Sequence, residues 1–288
     1  MGHDRGVTSP IDQVPRIALR DDGQIPQLGF GVWQIPQDQT VEAVLKAFEV
    51  GYRHIDGAAA YENEAQVGQA FRASGLARED VFITTKVFND AHGYEEAKRA
   101  LRASLDRFEL DHVDLALIHW PVPSNDKYVD TWRALVDLQQ DGLTRSIGVS
   151  NFQPAHLDRI IEATGVTPSV NQVELHPYFA QQGLVREHAD RGIHTEAWSP
   201  LAQGKVLDDP AIGAIAEAHG KTAGQVVLRW HLQLGHIVFP KSATPARIEE
   251  NFQVWDFTLT DDQVAAITAL DRGERHGPDP DTFAYGAR

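Results

Sequence analysis

The sequence predicts a single (β/α)8 barrel, and three observations lead to this fold class. Eight β-like apolar runs follow one another along the chain, helical patterns separate them, and a length of 288 residues is typical of one such barrel. Strands that alternate with helices form parallel sheets, and eight of them close into a barrel. We therefore expect one domain, residues 1–288, with a large core.

The first elements are short. Residues 1–15 are predicted to form a loose leader. The stretch RIALRDDGQIPQ predicts a hairpin that turns near Asp22 and Gly23, because this dipeptide tolerates positive φ. The barrel strands are predicted in the runs LGFGVW, RHIDG, VFITTKV, DLALIHW, RSIGVSN, SVNQVEL, HTEAWSP and HIVFPKS.

Helical patterns between these runs place apolar residues three and four positions apart. Two examples are Ala97, Leu101, Leu105 and Phe108, and Tyr128, Trp132, Leu135 and Val136. The predicted helix ends are Pro154 in a first turn, Gly165 at a C-terminal stop, and the capping boxes of Thr222 with Gln225 and Thr260 with Gln263.

Composition and charge limit the classes of function. The formal net charge of −15 argues against nucleic acid or an anionic membrane as partner. The absence of cysteine excludes disulfides, thiolate metal sites and a cysteine nucleophile, and fits a reducing compartment. No run approaches 18 apolar residues, and the first residues lack a stretch of signal-peptide type. We expect a soluble, cytoplasmic, monomeric protein.

Four polar side chains stand at strand ends or just after them. Asp56 closes one predicted strand and Tyr61 follows in its loop, while Lys86 ends the next strand and His119 the one after. In a barrel, reactive groups gather at the carboxyl ends of the strands, so all four should reach one pocket. We call them the four-residue cluster.

The residue types of the cluster suit proton transfer. An ammonium beside a phenol favours the phenolate, so we expect Lys86 to lower the pKa of Tyr61 and make it a usable proton donor. A carboxylate at Asp56 would keep the ammonium charged and in place. The imidazole of His119 can orient a carbonyl group by a hydrogen bond.

Several segments together resemble the aldo-keto reductase superfamily. They are HIDGAAAYENEAQVG, TTKVFN, DLALIHWP, IGVSNF, VNQVELHP, WSPLAQGK and VFPKSATPARIEENFQV. The resemblance runs from about Arg16 to Leu270, and AWSPLAQGK and LRWHLQLGHIVFPKS are most similar to the prokaryotic 2,5-diketo-D-gluconate reductase group. It implies that the four-residue cluster is a catalytic tetrad in which Tyr61 donates the proton. The implied reaction is NADPH-dependent reduction of small aldehydes, ketones or α-dicarbonyls, with keto-sugar acids as further candidates.

The cofactor site is predicted from several separate segments. No G-x-G-x-x-G motif opens a helix, so a Rossmann-type site is not indicated. Instead, KSATPAR places Lys241, Ser242 and Arg247 around the start of a helix capped by Thr244, and this suits one phosphate dianion and hence NADPH over NADH. The amides of Asn151 and Gln172, with Ser150, are candidates to hold the nicotinamide carboxamide, and Trp198 to stack on its ring. The resemblance further implies cofactor contacts for Ser199, Leu201, Gln203, Glu250 and Asn251.

Alternatives remain open at this level. His54 with Asp56, and Glu174 with His176, alternate onto strand faces, so a metal-dependent hydrolase is a rival. A positive Lys86 would repel a nearby divalent ion, and we therefore predict no metal site. A second rival is a regulatory or scaffold subunit that keeps the barrel and the cofactor.

The substrate pocket is less well defined by the sequence. Trp33, Phe88 and Trp120 are predicted pocket walls, although core packing is the common fate of such residues. Departures from the family pattern at Gly57, Phe88 and Ala202 bear on pocket shape rather than on reacting groups.

The last stretch, Asp271 to Arg288, is predicted to be irregular. Its composition also fits a disordered end. By the resemblance, however, it folds back across the barrel mouth, with Phe283 and Tyr285 as anchors. Arg275, His276 and Arg288 would then be candidates to meet an anionic substrate group.

Overall fold

A computed structural model describes residues 14–21 and 23–287. The strands are β1 (Arg16–Ala18), β2 (Gln24–Pro26), β3 (Phe30–Gly31), β4 (His54–Asp56), β5 (Phe82–Val87), β6 (Val113–Ile118), β7 (Thr144–Ser150), β8 (Val170–Glu174), β9 (His194–Trp198) and β10 (Ile237–Val238). The helices are α1 (Gln37–Val50), α2 (Glu64–Ser74), α3 (Tyr94–Phe108), α4 (Tyr128–Gln140), α5 (Pro154–Thr164), α6 (Gln182–Arg191), α7 (Pro210–His219), α8 (Ala223–Gln233), α9 (Pro245–Phe252) and α10 (Asp261–Thr268).

Strands β3 to β10 form one parallel sheet in chain order. The first and last strands meet: the amide of Gly29 donates to the carbonyl of Val238 at 2.7 Å, and the amide of Val238 donates to the carbonyl of Gln27 at 3.0 Å. A further parallel bridge joins Gly31 to Lys241. The sheet therefore closes into a barrel, and the predicted fold class is confirmed.

The predicted hairpin is present. β1 and β2 pair antiparallel, with Ile17 opposite Ile25, and the amide of Leu19 donates to the carbonyl of Gly23 at 2.7 Å. The φ of Gly23 is not in the left-handed region; instead, a Cβ there would lie 2.5 Å from Ser146 Oγ. Asp22 and residues 1–13 lie outside the described residues.

The barrel has two packing regions. Inside its amino-terminal end, the hairpin joins strand side chains in one apolar cluster, whose buried members are Leu19, Ile25, Phe82, Leu115, Leu117, Val170 and Ile237. A larger core lies between the strands and the surrounding helices. The face predicted for α3 is buried throughout, and on α4 only Val136 of the predicted face is partly exposed. Apolar side chains thus fill the amino-terminal end of the barrel, and the polar side chains predicted to react lie at the carboxyl ends of the strands.

The predicted helix ends are also found. α5 begins at Pro154 and stops at Gly165, where φ is 72°. Reciprocal capping boxes join Thr222 to Gln225 and Thr260 to Gln263. Within the described part of the chain, no helix combines the length and apolar character needed to cross a membrane.

Gly68 on α2 yields a stability prediction. A Cβ at Gly68 would lie 2.2 Å from the carbonyl oxygen of Phe108, at the end of α3. We expect Gly68→Ala to destabilise the fold by about 1–3 kcal/mol through overpacking, although alanine is the better helix former. Gly213→Ala on α7 is the matched control, because no atom lies within 4 Å of its Cβ position; it should stabilise by about 0.4–1 kcal/mol. Urea unfolding measures both, and equal effects of the two changes would contradict the packing argument.

Candidate active site

The ammonium of Lys86 is the centre of the four-residue cluster. Its Nζ donates to both carboxylate oxygens of Asp56, at 3.0 and 2.8 Å, and to the carbonyl of Gly57 at 2.9 Å. It also donates to the hydroxyl of Tyr61 at 3.2 Å. The Lys86 side chain is completely buried and that of Asp56 is 3% exposed. These contacts hold the phenol, the ammonium and the carboxylate in one arrangement.

Strand pairing places these side chains together. β4 and β5 are neighbours in parallel register, with Asp56 opposite Thr84, two residues before Lys86. Tyr61 lies in a short 3-10 turn, Ala59–Tyr61, directly after β4. The phenol therefore reaches the ammonium from the loop, while the carboxylate reaches it from the adjacent strand.

His119 completes the cluster from the next strand. It follows β6, and its amide donates to the carbonyl of Val87 at 3.0 Å. Its ring lies against two other rings, with centroids 5.8 Å from Tyr61 and 5.5 Å from Phe88. Burial, with the positive charge of Lys86, holds the pKa of His119 well below its ordinary value. The imidazole is therefore neutral near pH 7 and keeps one N–H to donate.

The electrostatics of Tyr61 differ from the sequence prediction. Burial raises the pKa of Tyr61 above its ordinary value, and the Lys86 ammonium only partly offsets this effect. The prediction of a lowered pKa is therefore wrong for this structure, since it weighed the charge of Lys86 and not the loss of water. For Lys86, burial lowers the pKa, but Asp56 and Tyr61 together outweigh it and raise the pKa. The phenol and the ammonium are both protonated at neutral pH.

The side-chain amides of Asn151 and Gln172 lie beside the four-residue cluster. Asn151 donates to the carbonyl of His119 at 3.0 Å and to Ser150 Oγ at 3.1 Å. Its Oδ1 accepts from Trp198 Nε1 at 2.8 Å, which fixes the orientation of the indole. Gln172 points to the cluster itself, because its Nε2 donates to Asp56 Oδ1 at 2.8 Å. The same Nε2 also donates to Glu196 Oε2 at 2.8 Å, so its amide N–H groups are engaged within the barrel.

The loop after β9 holds the other predicted residues of this region. Ser199, Leu201 and Gln203 lie in it, around a 3-10 turn over Ala202–Gly204. Ser199, Ala202 and Gln203 have φ of 49°, 48° and 56°, in the left-handed region where side chains other than glycine are strained. Ala202, one of the predicted departures from the family pattern, therefore adopts a conformation that suits glycine better.

The predicted phosphate site lies at the start of α9. Lys241 and Arg247 are exposed there, and Ser242 is buried. Thr244 occupies the N-cap position, but its side chain makes no capping hydrogen bond. The predicted N-cap position of Thr244 is thus confirmed, but the side-chain oxygen that accepts a backbone amide here is Ser242 Oγ, which accepts from the amide of Thr244 at 3.0 Å.

The two residues predicted at the adenine lie further along α9. Glu250 accepts a hydrogen bond from Thr222 Oγ1 at 2.9 Å, and Asn251 is buried. Both are therefore within the same short helix as Arg247.

The predicted pocket walls differ in exposure. Trp33 is 43% exposed, whereas Trp120 is buried and lies against Trp198, with ring centroids 6.4 Å apart. Phe88 is half-buried against His119. Of the three predicted pocket residues, Trp33 is thus open to solvent, whereas Phe88 and Trp120 are packed against other side chains.

The C-terminal tail folds back over the strand ends. The ring of Phe283 lies 4.4 Å from that of Trp120, and Asn89 donates to the carbonyl of Tyr285 at 2.9 Å. Gly286 packs on Phe88, where a Cβ would lie 2.8 Å from Cε1. Phe283 is therefore an anchor as expected, but the side chain of Tyr285 is not, because the residue is 75% exposed.

Two of the tail residues predicted to meet an anionic group have partners within the chain. The guanidinium of Arg275 lies 4.6 Å from the ring centroid of Phe179, and His276 Nδ1 is 2.7 Å from Lys205 Nζ. Their contact with an anionic substrate group stays a prediction. Arg288 lies outside the described residues.

Glu174 is a residue whose structural role sequence reasoning missed. At the end of β8 its carboxylate accepts from the amides of His276 and Gly277, at 2.6 and 2.8 Å, and lies 3.0 Å from His176 Nε2. Gly277 in turn packs on the edge of Trp198, where a Cβ would lie 2.3 Å from the ring. The signal available in the sequence was an acidic residue inside an apolar strand run. Among the described residues, no group of three or more acidic or histidine side chains is placed to hold a metal ion.

A separate cavity of about 540 Å³ lies at the opposite end of the barrel, near the hairpin. Charged side chains line it, among them Arg16, Asp21, Glu79, Asp114 and Arg145. It contains none of the predicted site residues.

The barrel brings a phenol, an ammonium, a carboxylate and an imidazole together at its carboxyl end. This arrangement is typical of an enzyme that transfers a proton to a small molecule. Residues 27–272 match the model of the Aldo/keto reductase family. The chain belongs to this family, and it is an oxidoreductase.

Known proteins similar to the chain agree with this assignment. An aldo-keto reductase of Mycolicibacterium smegmatis is 54% identical over 94% of this chain and 98% of its own length. The methylglyoxal reductase DkgA of Escherichia coli is 52% identical over 93% of this chain and 97% of its own. The crystal structure of an aspartate-to-alanine mutant of Gox0644 in complex with NADPH has a TM-score of 0.91 and 46% identity, covering 94% of this chain and 98% of that one.

Proposed function

We propose that this protein reduces small aldehydes, ketones or α-dicarbonyls to alcohols with NADPH, and that Tyr61 is the general acid. The observation that carries the proposal is the Lys86 ammonium, which joins the phenol of Tyr61 to Asp56 at the carboxyl ends of β4 and β5. The methylglyoxal reductase relative supports an α-dicarbonyl as one substrate class. Keto-sugar acids are a further candidate class.

The cluster suits the reduction of a carbonyl group. NADPH, when bound, supplies the hydride that attacks the carbonyl carbon. The carbonyl oxygen lies between the hydroxyl of Tyr61 and the neutral imidazole of His119, which donates a hydrogen bond to it. As negative charge develops on that oxygen, Tyr61 gives up its proton and the alcohol forms. Lys86 then stabilises the phenolate until Tyr61 is protonated again.

The cofactor is NADPH, and the chain offers groups for each of its parts. We assign the nicotinamide carboxamide to Ser150, Asn151 and Gln172, and the ring face to Trp198, whose indole is held by Asn151. The remaining contacts are assigned to Ser199, Leu201 and Gln203 in the loop after β9, to Lys241, Ser242, Thr244 and Arg247 at the adenosine phosphate, and to Glu250 and Asn251 at the adenine. The solved relative with NADPH supports this choice of cofactor.

The domain organisation, the oligomeric state and the cellular compartment are proposed from the sequence. We propose that the whole chain acts as one domain and as a monomer in the cytoplasm, where the absence of cysteine fits a reducing environment. Trp33, Phe88 and Trp120 would form the substrate pocket.

Tyr61→Phe tests the proton donor. It should lower kcat for methylglyoxal reduction by about 10² to 10⁴, the usual contribution of a general acid, and leave the Kd of NADPH within about twofold. Tyr94→Phe, on the outer helix α3, is the control and should keep wild-type kcat. Steady-state kinetics and NADPH fluorescence titration measure the two quantities. A Tyr61→Phe enzyme with most of its kcat would sink the assignment, and a wild-type protein without turnover would favour a regulatory role.

Arg247→Ala and Lys241→Ala test the phosphate site. Each should weaken NADPH binding by about 1.5–3 kcal/mol, roughly tenfold to a hundredfold, and barely change NADH binding, because only NADPH carries the additional phosphate. Arg133→Ala, exposed on α4, is the control. Titration of each variant with both nucleotides gives the ratio of the two Kd values. An equal loss for NADH and NADPH would place the phosphate elsewhere.

Truncation after Pro278 tests the tail. It removes Phe283 from Trp120 but leaves His276 and Gly277 on Glu174. We expect a several-fold higher KM for apolar aldehydes and little change in the Kd of NADPH. Phe283→Ala should reproduce part of the effect without shortening the chain. Unchanged KM values across aldehydes would show that the tail does not border the substrate.

A further inference from the structure

A buried carboxyl group lies beneath the four-residue cluster and has no part in the mechanism above. Glu196 on β9 is in register with Gln172 on β8, and its side chain is completely enclosed. Its Oε1 has no hydrogen-bond partner among residues 14–21 and 23–287. A buried acidic group with an unpaired oxygen costs stability, so its presence requires an explanation.

Gln172 connects Glu196 to the cluster. Its Nε2 donates to Glu196 Oε2 and to Asp56 Oδ1, both at 2.8 Å. A side-chain amide has two N–H donors, so both are used by these carboxyl groups. Because Asp56 also accepts from Lys86, and Lys86 donates to Tyr61, polar contacts run without a break from Glu196 to the phenol.

Glu196 is neutral because the buried charges around it are already balanced. The Lys86 ammonium already has Asp56 as its counterion. A second carboxylate would be a buried charge without a cation of its own. Burial, reinforced by the negative charge of Asp56, raises the pKa of Glu196 to about 8, although the Gln172 hydrogen bond and Lys86 act in the opposite direction. At pH 7 Glu196 is therefore a neutral acid.

The surroundings of Glu196 limit what else can affect its ionisation. The charges that act on it are Asp56 on β4 and Lys86 on β5. Its register partner on β10 is the apolar Ile237. On β8, the acidic side chain near Gln172 is Glu174, which is already engaged by His176 and by two amides of the tail.

We propose that Glu196 is a positioning residue that holds Gln172 against Asp56 as a neutral acid, and that its ionisation at alkaline pH weakens Tyr61 as a proton donor. A second negative charge near Lys86 disfavours the phenolate of Tyr61, because the field of the ammonium is then partly cancelled. Reduction requires Tyr61 to release its proton, so kcat falls as Glu196 ionises. This kinetic consequence rests on the proposed function; the consequence for stability does not.

The stability consequence has a definite sign. In the unfolded chain a glutamate loses its proton near pH 4.3, whereas Glu196 in the folded protein keeps it up to about pH 8. Between these values the folded state binds a proton that the unfolded state has lost. The contribution of Glu196 to stability is therefore fully present below about pH 4 and is lost as the pH rises towards 8. Glu196→Gln, which has no proton to lose, removes this part of the pH dependence.

The first experiment measures melting temperatures from pH 5.5 to 9. The difference between Glu196→Gln and wild type should grow up to about pH 8 and then stay constant, while Glu162→Gln, exposed on α5, shows no such trend. A difference that is constant with pH would overturn the proposal. Infrared spectroscopy of the wild type needs no variant: the C=O band of a buried carboxylic acid should be present at pH 6.5 and lost above pH 8. Its absence at pH 6.5 would equally overturn it.

The second experiment measures kcat for methylglyoxal reduction from pH 6.5 to 9.5, with each protein normalised to its own value at pH 6.5. The wild type and Glu162→Gln should lose activity with a midpoint near pH 8, by up to about tenfold at pH 9. In Glu196→Gln the midpoint should move up by at least about one pH unit. Identical midpoints would refute the link to Tyr61. If the wild type reduces no carbonyl compound, the proposed function fails, and the melting and infrared results still decide the protonation of Glu196.

Discussion

The arrangement of the site depends on one buried ammonium. Lys86 has no contact with water, and a charge in that position is tolerated only with a counterion and a full set of hydrogen-bond acceptors. Asp56 supplies the counterion, while the carbonyl of Gly57 and the hydroxyl of Tyr61 supply further acceptors. The position of the Tyr61 hydroxyl is thus set by the hydrogen bonds that the lysine requires.

The same requirement explains the other polar groups in the barrel. Three of the buried carboxyl groups are stabilised in different ways: Asp56 pairs with an ammonium, Glu174 accepts from backbone amides of the tail, and Glu196 keeps its proton. Gln172 separates two of these groups and donates to both. Because the neutral form of Glu196 adds no charge, the charges around Lys86 remain balanced.

The tail joins the two binding regions of the mouth. Glu174 holds the backbone at Gly277 against Trp198, the residue assigned to the nicotinamide, and Phe283 packs on Trp120 of the substrate pocket. The contacts of Gly277 with Glu174 and of Phe283 with Trp120 each join residues more than 100 positions apart in sequence, so distant parts of the chain shape one opening. The tail therefore contacts residues of the proposed substrate and cofactor regions.

The sequence by itself determined the barrel, its strand order and the polar residues at the strand ends. Periodicity, turn residues and capping pairs are local properties of the chain, because they depend on residues a few positions apart. Gly165 at a helix end and Thr222 in a capping box are examples. It did not determine the pKa of Tyr61, the engagement of Arg275 and His276, or the roles of Glu174 and Glu196. Each of these depends on burial and on partners from distant strands or the tail. Loss of water acts through the whole surrounding volume, and only the folded chain sets how much water each of these groups loses.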